Sequence, residues 1–168
     1  MDRFFTYDDI QCHYTDEGEG EAILFAHGFA EDGTVWETFQ QSFAGYRRLV
    51  IDFPGVGKSG ELNDNFTMEM LAGTLMALLL DAQVEKVHLV GHSMGGYAAM
   101  AFAEKHSDVL LSLTMFHSQP FADDEEKKAG RLKQARLVER HGTTHFIREL
   151  YYNLFSEGFS HGYCRCDR

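Results

Sequence analysis

The chain contains little proline, little cysteine and few cations, and each shortage excludes a class of protein. Its 168 residues include two prolines and three cysteines. So little proline excludes collagen-like and proline-rich linker proteins. Three cysteines (Cys12, Cys164 and Cys166) do not make the disulfide framework of a small secreted domain, so we expect a reducing, cytoplasmic location. Cys164 and Cys166 have no second ligand pair at a zinc-site spacing, and we expect neither a metal nor a cofactor.

Positive charge is scarce. Fifteen Lys and Arg residues stand against 26 Asp and Glu residues, which gives a net charge of −11. An acidic protein repels phosphate backbones and anionic lipid surfaces, so we expect no nucleic-acid partner and no membrane partner. Apolar runs such as residues 75–80 are far below the roughly 20 residues that span a bilayer, and the first residues lack a signal pattern.

Apolar residues make up 44% of the chain and include 14 Phe, enough for a buried core. Short apolar runs alternate with helical patterns, which predicts an α/β fold with a mainly parallel sheet flanked by helices. A hairpin (3–7 and 11–15) precedes predicted strands at 22–26, 48–51, 87–90 and 109–116 and predicted helices at 34–43, 67–82 and 94–105.

The character of the sequence changes near residue 121. We predict a core over residues 1–120 and a charged helical segment over 121–155, with helices at 123–141 and 143–155. Residues 156–168 show no periodicity and are predicted to form a disordered tail.

The most informative motif is Gly91-His92-Ser93-Met94-Gly95, which lies directly between a predicted strand and a predicted helix. A serine in such a sharp turn projects its hydroxyl from the end of the sheet, and small neighbours prevent clashes across the turn. The N–H of Met94 would lie at a helix N-terminus, where partial positive charge stabilises an oxyanion. This pattern favours Ser93 as a nucleophile over a chance match in a glycine-containing loop.

Two further loops follow predicted strands. His27-Gly28-Phe29 follows residues 22–26, and His27 is interpreted first as a histidine that pins its loop by hydrogen bonds. Residues 52–59 end in Gly-Lys-Ser, like a phosphate-binding loop, but Asp52 occupies the position of a required glycine and no helical pattern follows. A tight loop in which Asp52 binds backbone N–H groups is the simpler interpretation.

The succession of His27-Gly28-Phe29, Trp36, the glycine-rich loop from Asp52 and Gly91–Gly96 resembles the α/β-hydrolase fold superfamily, in particular its esterase and haloperoxidase-like branch. The resemblance covers roughly residues 3–118, and 123–155 is similar to the start of a helical lid. It implies Ser93 as nucleophile and the backbone amides of Phe29 and Met94 as the oxyanion hole.

The same resemblance implies a triad acid and a histidine that follow the nucleophile in the chain, on strands beyond the lid. No strand pattern follows residue 155, so we expect an N-terminal fragment of a hydrolase with little or no turnover. His27, Gly28, His92 and His117 are predicted to line the pocket, and the outermost strand, 109–116, is expected to leave a sheet edge open to self-association.

The leading hypothesis is therefore a serine hydrolase of a small ester or related acyl or carbonyl substrate. A non-catalytic binding protein that keeps the pocket and a nucleotide-binding protein that uses residues 55–59 are the alternatives.

Overall fold

The structure, a computed structural model, describes residues 1–62 and 66–154. In chain order its strands and α-helices are β1 (Asp2–Tyr7), β2 (Ile10–Glu17), β3 (Ala22–Ala26), β4 (Arg47–Asp52), α1 (Met68–Asp81), β5 (Val87–His92), α2 (Met94–His106), β6 (Leu110–Phe116), α3 (Glu125–His141) and α4 (Thr143–Leu154). Among these residues, no helix has the length and apolar character that a membrane crossing requires.

The six strands form one sheet in the order β1-β2-β4-β3-β5-β6. β2 pairs antiparallel with β1 and with β4, whereas β4, β3, β5 and β6 run parallel. The prediction of a mainly parallel α/β sheet is confirmed. Because the four parallel strands end at the same edge of the sheet, the loops that follow them are brought together there.

The predicted hairpin is present, and its turn explains the register. Asp8 and Asp9 both have positive φ (50° and 61°), the conformation of a two-residue type I′ turn. Tyr7 therefore pairs with Ile10, and the register continues to Asp2 opposite Thr15.

One face of the sheet carries the main core. Thr67 caps α1 by accepting a hydrogen bond from the N–H of Met70. The helix then buries Leu71, Leu75 and Leu78 against the sheet, and α2 packs beside it. Full burial of each of these leucines contributes about 1.5–3 kcal/mol.

The prediction of one helix over 34–43 is wrong. This segment forms two short 3₁₀ helices, Gly33–Trp36 and Phe39–Phe43. Trp36 ends the first of these helices and Phe39 begins the second, and their ring centroids lie 5.6 Å apart. Both Trp36 and Phe43 pack on Phe25, so aromatic packing on the second face of the sheet outweighs the preference for a regular α-helix.

The chain divides into two compact units, Met1–Pro120 and the residues from Phe121 onward. In the second unit, Asp124 caps α3 by accepting from the N–H of Lys127, and Gly142 (φ 77°) ends it. α3 buries none of its residues. The predicted tail, 156–168, lies outside the described residues.

β6 lies at the end of the sheet, and no strand of the described residues pairs with its outer side. Leu111 on this strand is 45% exposed and Phe116 is 41% exposed. Free backbone groups beside apolar side chains favour pairing with a second strand. We propose that two copies of this chain associate along β6.

A charge on this strand tests the proposal. We expect Leu111→Lys to shift the chain from dimer to monomer in sedimentation velocity, because a buried ammonium opposes strand pairing. Leu80→Lys, at a 67%-exposed position of α1, serves as the control and should leave the distribution unchanged. A wild-type chain that remains monomeric at every concentration contradicts the proposal.

Candidate active site

Ser93 lies in a strained turn between β5 and α2. Its backbone has φ 48° and ψ −110°, a conformation that costs a non-glycine residue about 1–3 kcal/mol. The backbone around it is fixed on both sides. Its N–H donates to the carbonyl of Phe116 (3.0 Å), and its carbonyl accepts from the Ser118 hydroxyl (2.8 Å) and from the N–H of Gly96 (3.0 Å). The half-buried Ser93 side chain makes no capping bond to α2.

The glycines around Ser93 allow three backbone segments to meet. A Cβ on Gly91 would lie 2.6 Å from the carbonyl carbon of Gly95. One on Gly95 would lie 2.6 Å from the carbonyl oxygen of His27, and one on Gly96 would lie 2.5 Å from the Cβ of Ser118. These distances are shorter than any ordinary carbon contact, so the turn, the first turn of α2 and the loop after β3 pack closely only because side chains are absent.

His27 fixes the loop after β3. The backbone N–H of Phe53 donates to its Nε2 (3.0 Å), so the ring proton lies on Nδ1, which donates to the carbonyl of Gly28 (2.8 Å). The ring is fully buried, and this burial lowers the pKa of His27 below its usual 6.5. His27 is therefore a neutral structural histidine. Both of its ring nitrogens are bonded inside the protein, in keeping with a histidine that pins its loop.

The two backbone amides predicted to form an oxyanion hole belong to adjacent segments. Met94 is the first residue of α2, and its side chain is 9% exposed. Phe29 lies in the loop after β3, whose His27 carbonyl is packed against Gly95 of α2. The side chain of Phe29 is 58% exposed, so the loop carries it on the surface of the first unit.

A carboxylate that the sequence did not single out joins this region. Glu31 Oε2 lies 2.8 Å from Nδ1 of His92, the residue before Ser93. The same oxygen accepts from the backbone N–H of Gly28 (2.7 Å). No local pattern reveals the pair, since Glu31 and His92 lie 61 residues apart in the chain.

His92 and His117 lie side by side at the end of the sheet. Their ring centroids are 6.3 Å apart, and both rings contact the exposed Phe116. The backbone of His117 has φ 46°, a second left-handed position in the loop that follows β6. The predicted site residues of β5 and of the loops after β3 and β6 therefore come from one edge of the sheet.

The loop from Asp52 does not have the geometry of a phosphate-binding loop. Its anion position is filled by the Asp52 carboxylate, which accepts from the N–H of Lys58 (2.9 Å), from the N–H of Gly33 (2.7 Å) and pairs with Nδ1 of His13 (2.8 Å). The Lys58 ammonium pairs with Asp2. In the described residues the next helix begins at Met68, not directly after Ser59, so the nucleotide-binding alternative has no support there.

A polar cavity of about 560 Å³ lies beside β2 and β4. It is lined by Asp32, Glu37 and Arg48 among others, and Ser93 is not one of its lining residues. His13 and Asp52 also line the cavity, and Nε2 of His13 approaches Asp2 (3.3 Å). Arg48 pairs with Glu17 at 3.5 Å, and Asp32 accepts from the backbone N–H of Thr34. In the described residues, no cluster of three His, Cys, Asp or Glu side chains could hold a metal ion.

The close contact at Gly95 predicts a loss of stability. We expect Gly95→Ala to lower the free energy of unfolding by about 1–3 kcal/mol, because the added methyl group forces the loop after β3 away from α2. Urea unfolding followed by circular dichroism measures the change. Gly45→Ala is the control, since a Cβ there meets nothing within 4 Å. Equal effects of the two substitutions would argue against this packing.

The state of His27 predicts a pH dependence. The unfolded histidine titrates near its ordinary pKa of 6.5, whereas the folded one titrates lower. Below about pH 6.5 the unfolded chain therefore binds a proton that the folded chain does not, and the free energy of unfolding falls as the pH drops. Above that pH, this contribution is constant.

Urea unfolding above and below pH 6.5, compared between wild type and His27→Gln, isolates the effect. We expect the acid-side fall to be smaller in His27→Gln, because that variant has no imidazole to protonate. Identical pH profiles would show that His27 takes up no proton on unfolding.

Comparisons with known proteins identify the family to which this fold belongs. A family model for the alpha/beta hydrolase fold matches residues 21–140. The 2-hydroxy-6-oxononadienedioate/2-hydroxy-6-oxononatrienedioate hydrolase of Burkholderia vietnamiensis is 37% identical over 114 aligned positions, and the match covers 64% of this chain and 40% of that protein. The protein of the same name from Escherichia coli K12 is 33% identical over 103 aligned positions, and that match covers 57% of this chain and 36% of that protein.

Solved structures give the same result. A thermophilic esterase from Thermogutta terrifontis matches with a TM-score of 0.81 at 32% identity, over 89% of this chain and 57% of the esterase. The enol-lactonase of Burkholderia xenovorans LB400 also has a TM-score of 0.81, over 89% of this chain and 58% of the lactonase, and at 19% identity it shows the fold alone. This chain spans about 40% of the length of the first of these curated relatives. Since the family model covers 120 of the 168 residues, the chain belongs to the alpha/beta hydrolase fold family.

Proposed function

We propose that this chain carries the nucleophile and the oxyanion hole of a serine hydrolase that acts on esters or related carbonyl compounds. The observation that carries the proposal is the left-handed backbone of Ser93 (φ 48°) in a Gly-x-Ser-x-Gly turn between β5 and α2. Such strain persists where the surrounding structure enforces it, and it clusters at functional sites. In this family a serine so placed is the nucleophile.

The chemistry follows from the position of the turn. The Ser93 hydroxyl oxygen attacks the substrate carbonyl carbon as its proton passes to a base, and the carbonyl oxygen becomes an oxyanion. The N–H groups of Met94 and Phe29 would donate to that oxyanion, and the N-terminus of α2 adds partial positive charge. One such donor contributes about 10²–10³-fold to the rate. The alcohol then leaves with a proton, and water hydrolyses the acyl-serine.

The proposed reaction also needs a base beside Ser93, for which the described histidines are the candidates. A serine hydroxyl needs an adjacent base to react at neutral pH. His13 is paired with Asp52 and Asp2, His27 is bonded to backbone on both ring nitrogens, His88 contacts Ser112, and His92 is paired with Glu31. Four histidines are thus already engaged, and we expect this chain by itself to turn over substrate slowly.

The substrate class is supported by the relatives. One is named an esterase, and others are named hydrolases of 2-hydroxy-6-oxo dienedioates. Ester and oxo compounds both present a carbonyl carbon to a nucleophile.

We propose that the chain is located in the cytoplasm, because its few cysteines are typical of a reducing compartment. Cys12 is a free, fully buried thiol whose pKa burial raises to about 11, so it is unreactive at neutral pH.

A fluorophosphonate probe tests the proposed nucleophile. We expect intact mass spectrometry to show one phosphonyl group added to the wild-type chain and none added to Ser93→Ala. Ser42→Ala, at an exposed serine of the same unit, is the matched control and should be labelled like the wild type.

Equal labelling of wild type and Ser93→Ala would contradict the proposal that Ser93 is the nucleophile. Absence of labelling, together with a rise in Tm on addition of a non-hydrolysable ester analogue, would favour the non-catalytic binding protein instead.

A further inference from the structure

The Glu31 carboxylate connects two loops through a single oxygen atom. Oε2 accepts from the backbone N–H of Gly28 at 2.7 Å and lies 2.8 Å from Nδ1 of His92. Ala30, which lies between Gly28 and Glu31, has a left-handed backbone (φ 58°) that turns the loop back on itself. This turn allows the carboxylate to reach the N–H three residues earlier.

The pair is partly shielded from water. The Glu31 side chain is 28% exposed and that of His92 is 21% exposed. The His92 ring also makes an edge contact with the buried Trp36, with centroids 6.3 Å apart and planes at 89°. Since Oε2 can only accept, Nδ1 of His92 carries the proton in this contact. A charge-assisted bond in a half-buried position is stronger and less screened than one at the open surface.

Gly28 shows that the pair is closely packed. A Cβ at position 28 would lie 2.8 Å from Oε2 of Glu31 and 3.0 Å from Nδ1 of His92. The carboxylate and the imidazole therefore lie directly over the Gly28 backbone, and any side chain there would displace one of them.

The two partners of Glu31, Gly28 and His92, lie next to the proposed site in the chain. Gly28 immediately precedes Phe29, and His92 immediately precedes Ser93, which is followed by Met94. One oxygen atom is thus bonded to the residues adjacent to both segments of the proposed site. The distance between two oxyanion donors must be held to a fraction of an ångström for full effect.

We propose that Glu31 is a positioning residue. By bridging Gly28 and His92, it holds the amide of Phe29 at the correct spacing from the amide of Met94 and from the Ser93 hydroxyl. This role rests on the proposed function, and Glu31 itself need not contact the substrate.

The test is the kinetics of fluorophosphonate labelling at Ser93 in the full chain. Rates measured over a range of probe concentrations give a saturating rate constant and a half-saturating concentration. We expect Glu31→Ala to lower the saturating rate constant about 10- to 100-fold, since misplaced groups cost this much. The half-saturating concentration should change less than about twofold, because probe binding before reaction does not use the oxyanion hole.

Controls separate positioning from folding. Asp32→Ala removes the neighbouring carboxylate, which caps a short 3₁₀ helix by accepting from Thr34 and has no bond to His92, and it should leave both constants unchanged. Glu31→Gln keeps an acceptor oxygen and should recover much of the rate even if Glu31→Ala folds poorly.

His92→Phe keeps a ring on Trp36 but loses the Nδ1 donor. It should slow labelling, and adding Glu31→Ala to it should have a smaller effect than Glu31→Ala alone.

The outcomes distinguish the two proposals. A labelled wild type with an equally fast, folded Glu31→Ala overturns the role of Glu31 and leaves Ser93 as nucleophile. A half-saturating concentration that rises with an unchanged rate constant also overturns it, since Glu31 would then act in probe binding. A wild type that is not labelled at Ser93 overturns the proposed function, and the role of Glu31 with it.

Discussion

The site depends on one packing constraint, the approach of three backbone segments to within van der Waals contact at the end of β5. The turn at Ser93, the first turn of α2 and the loop after β3 meet where Gly91, Gly95 and Gly96 leave no room for a Cβ. Close approach brings the amides of separate loops together without any long side chain between them. It also forces Ser93 into its left-handed backbone, because Ser93 is the single residue between the end of β5 and the start of α2.

Two buried polar residues keep the surrounding loops in place. His27 binds the loop after β3 to the backbone of Phe53 after β4, and Asp52 binds Gly33 and Lys58 from the loops on either side. His27 satisfies a buried backbone N–H, which would be costly to leave without a partner, and Asp52 satisfies two that are partly buried. Histidine and aspartate are residue types that often act in catalysis, yet the hydrogen bonds of these two side chains are all made within the protein.

The strands, the main helices and the turn at Ser93 could be predicted from sequence because their signals are local. The Thr67 cap, the Asp8-Asp9 turn and the small residues around Ser93 act within a few residues of themselves. The 3₁₀ helices of segment 34–43 could not be predicted, because aromatic rings that pack on Phe25 of a distant strand determine their conformation. Glu31 was missed for the same reason, because its partner His92 becomes its neighbour only when the sheet has formed.

The backbone of residue 93 is held without help from its own side chain. Its N–H and carbonyl groups are bonded to Phe116, Ser118 and Gly96, while α2 starts with no hydroxyl cap. The fold therefore specifies a bend and a direction, and leaves the identity of the reactive atom open. A thiol or a carboxylate at this position would project from the same bend, so the scaffold is suited to an exchange of nucleophile without rebuilding the loops around it.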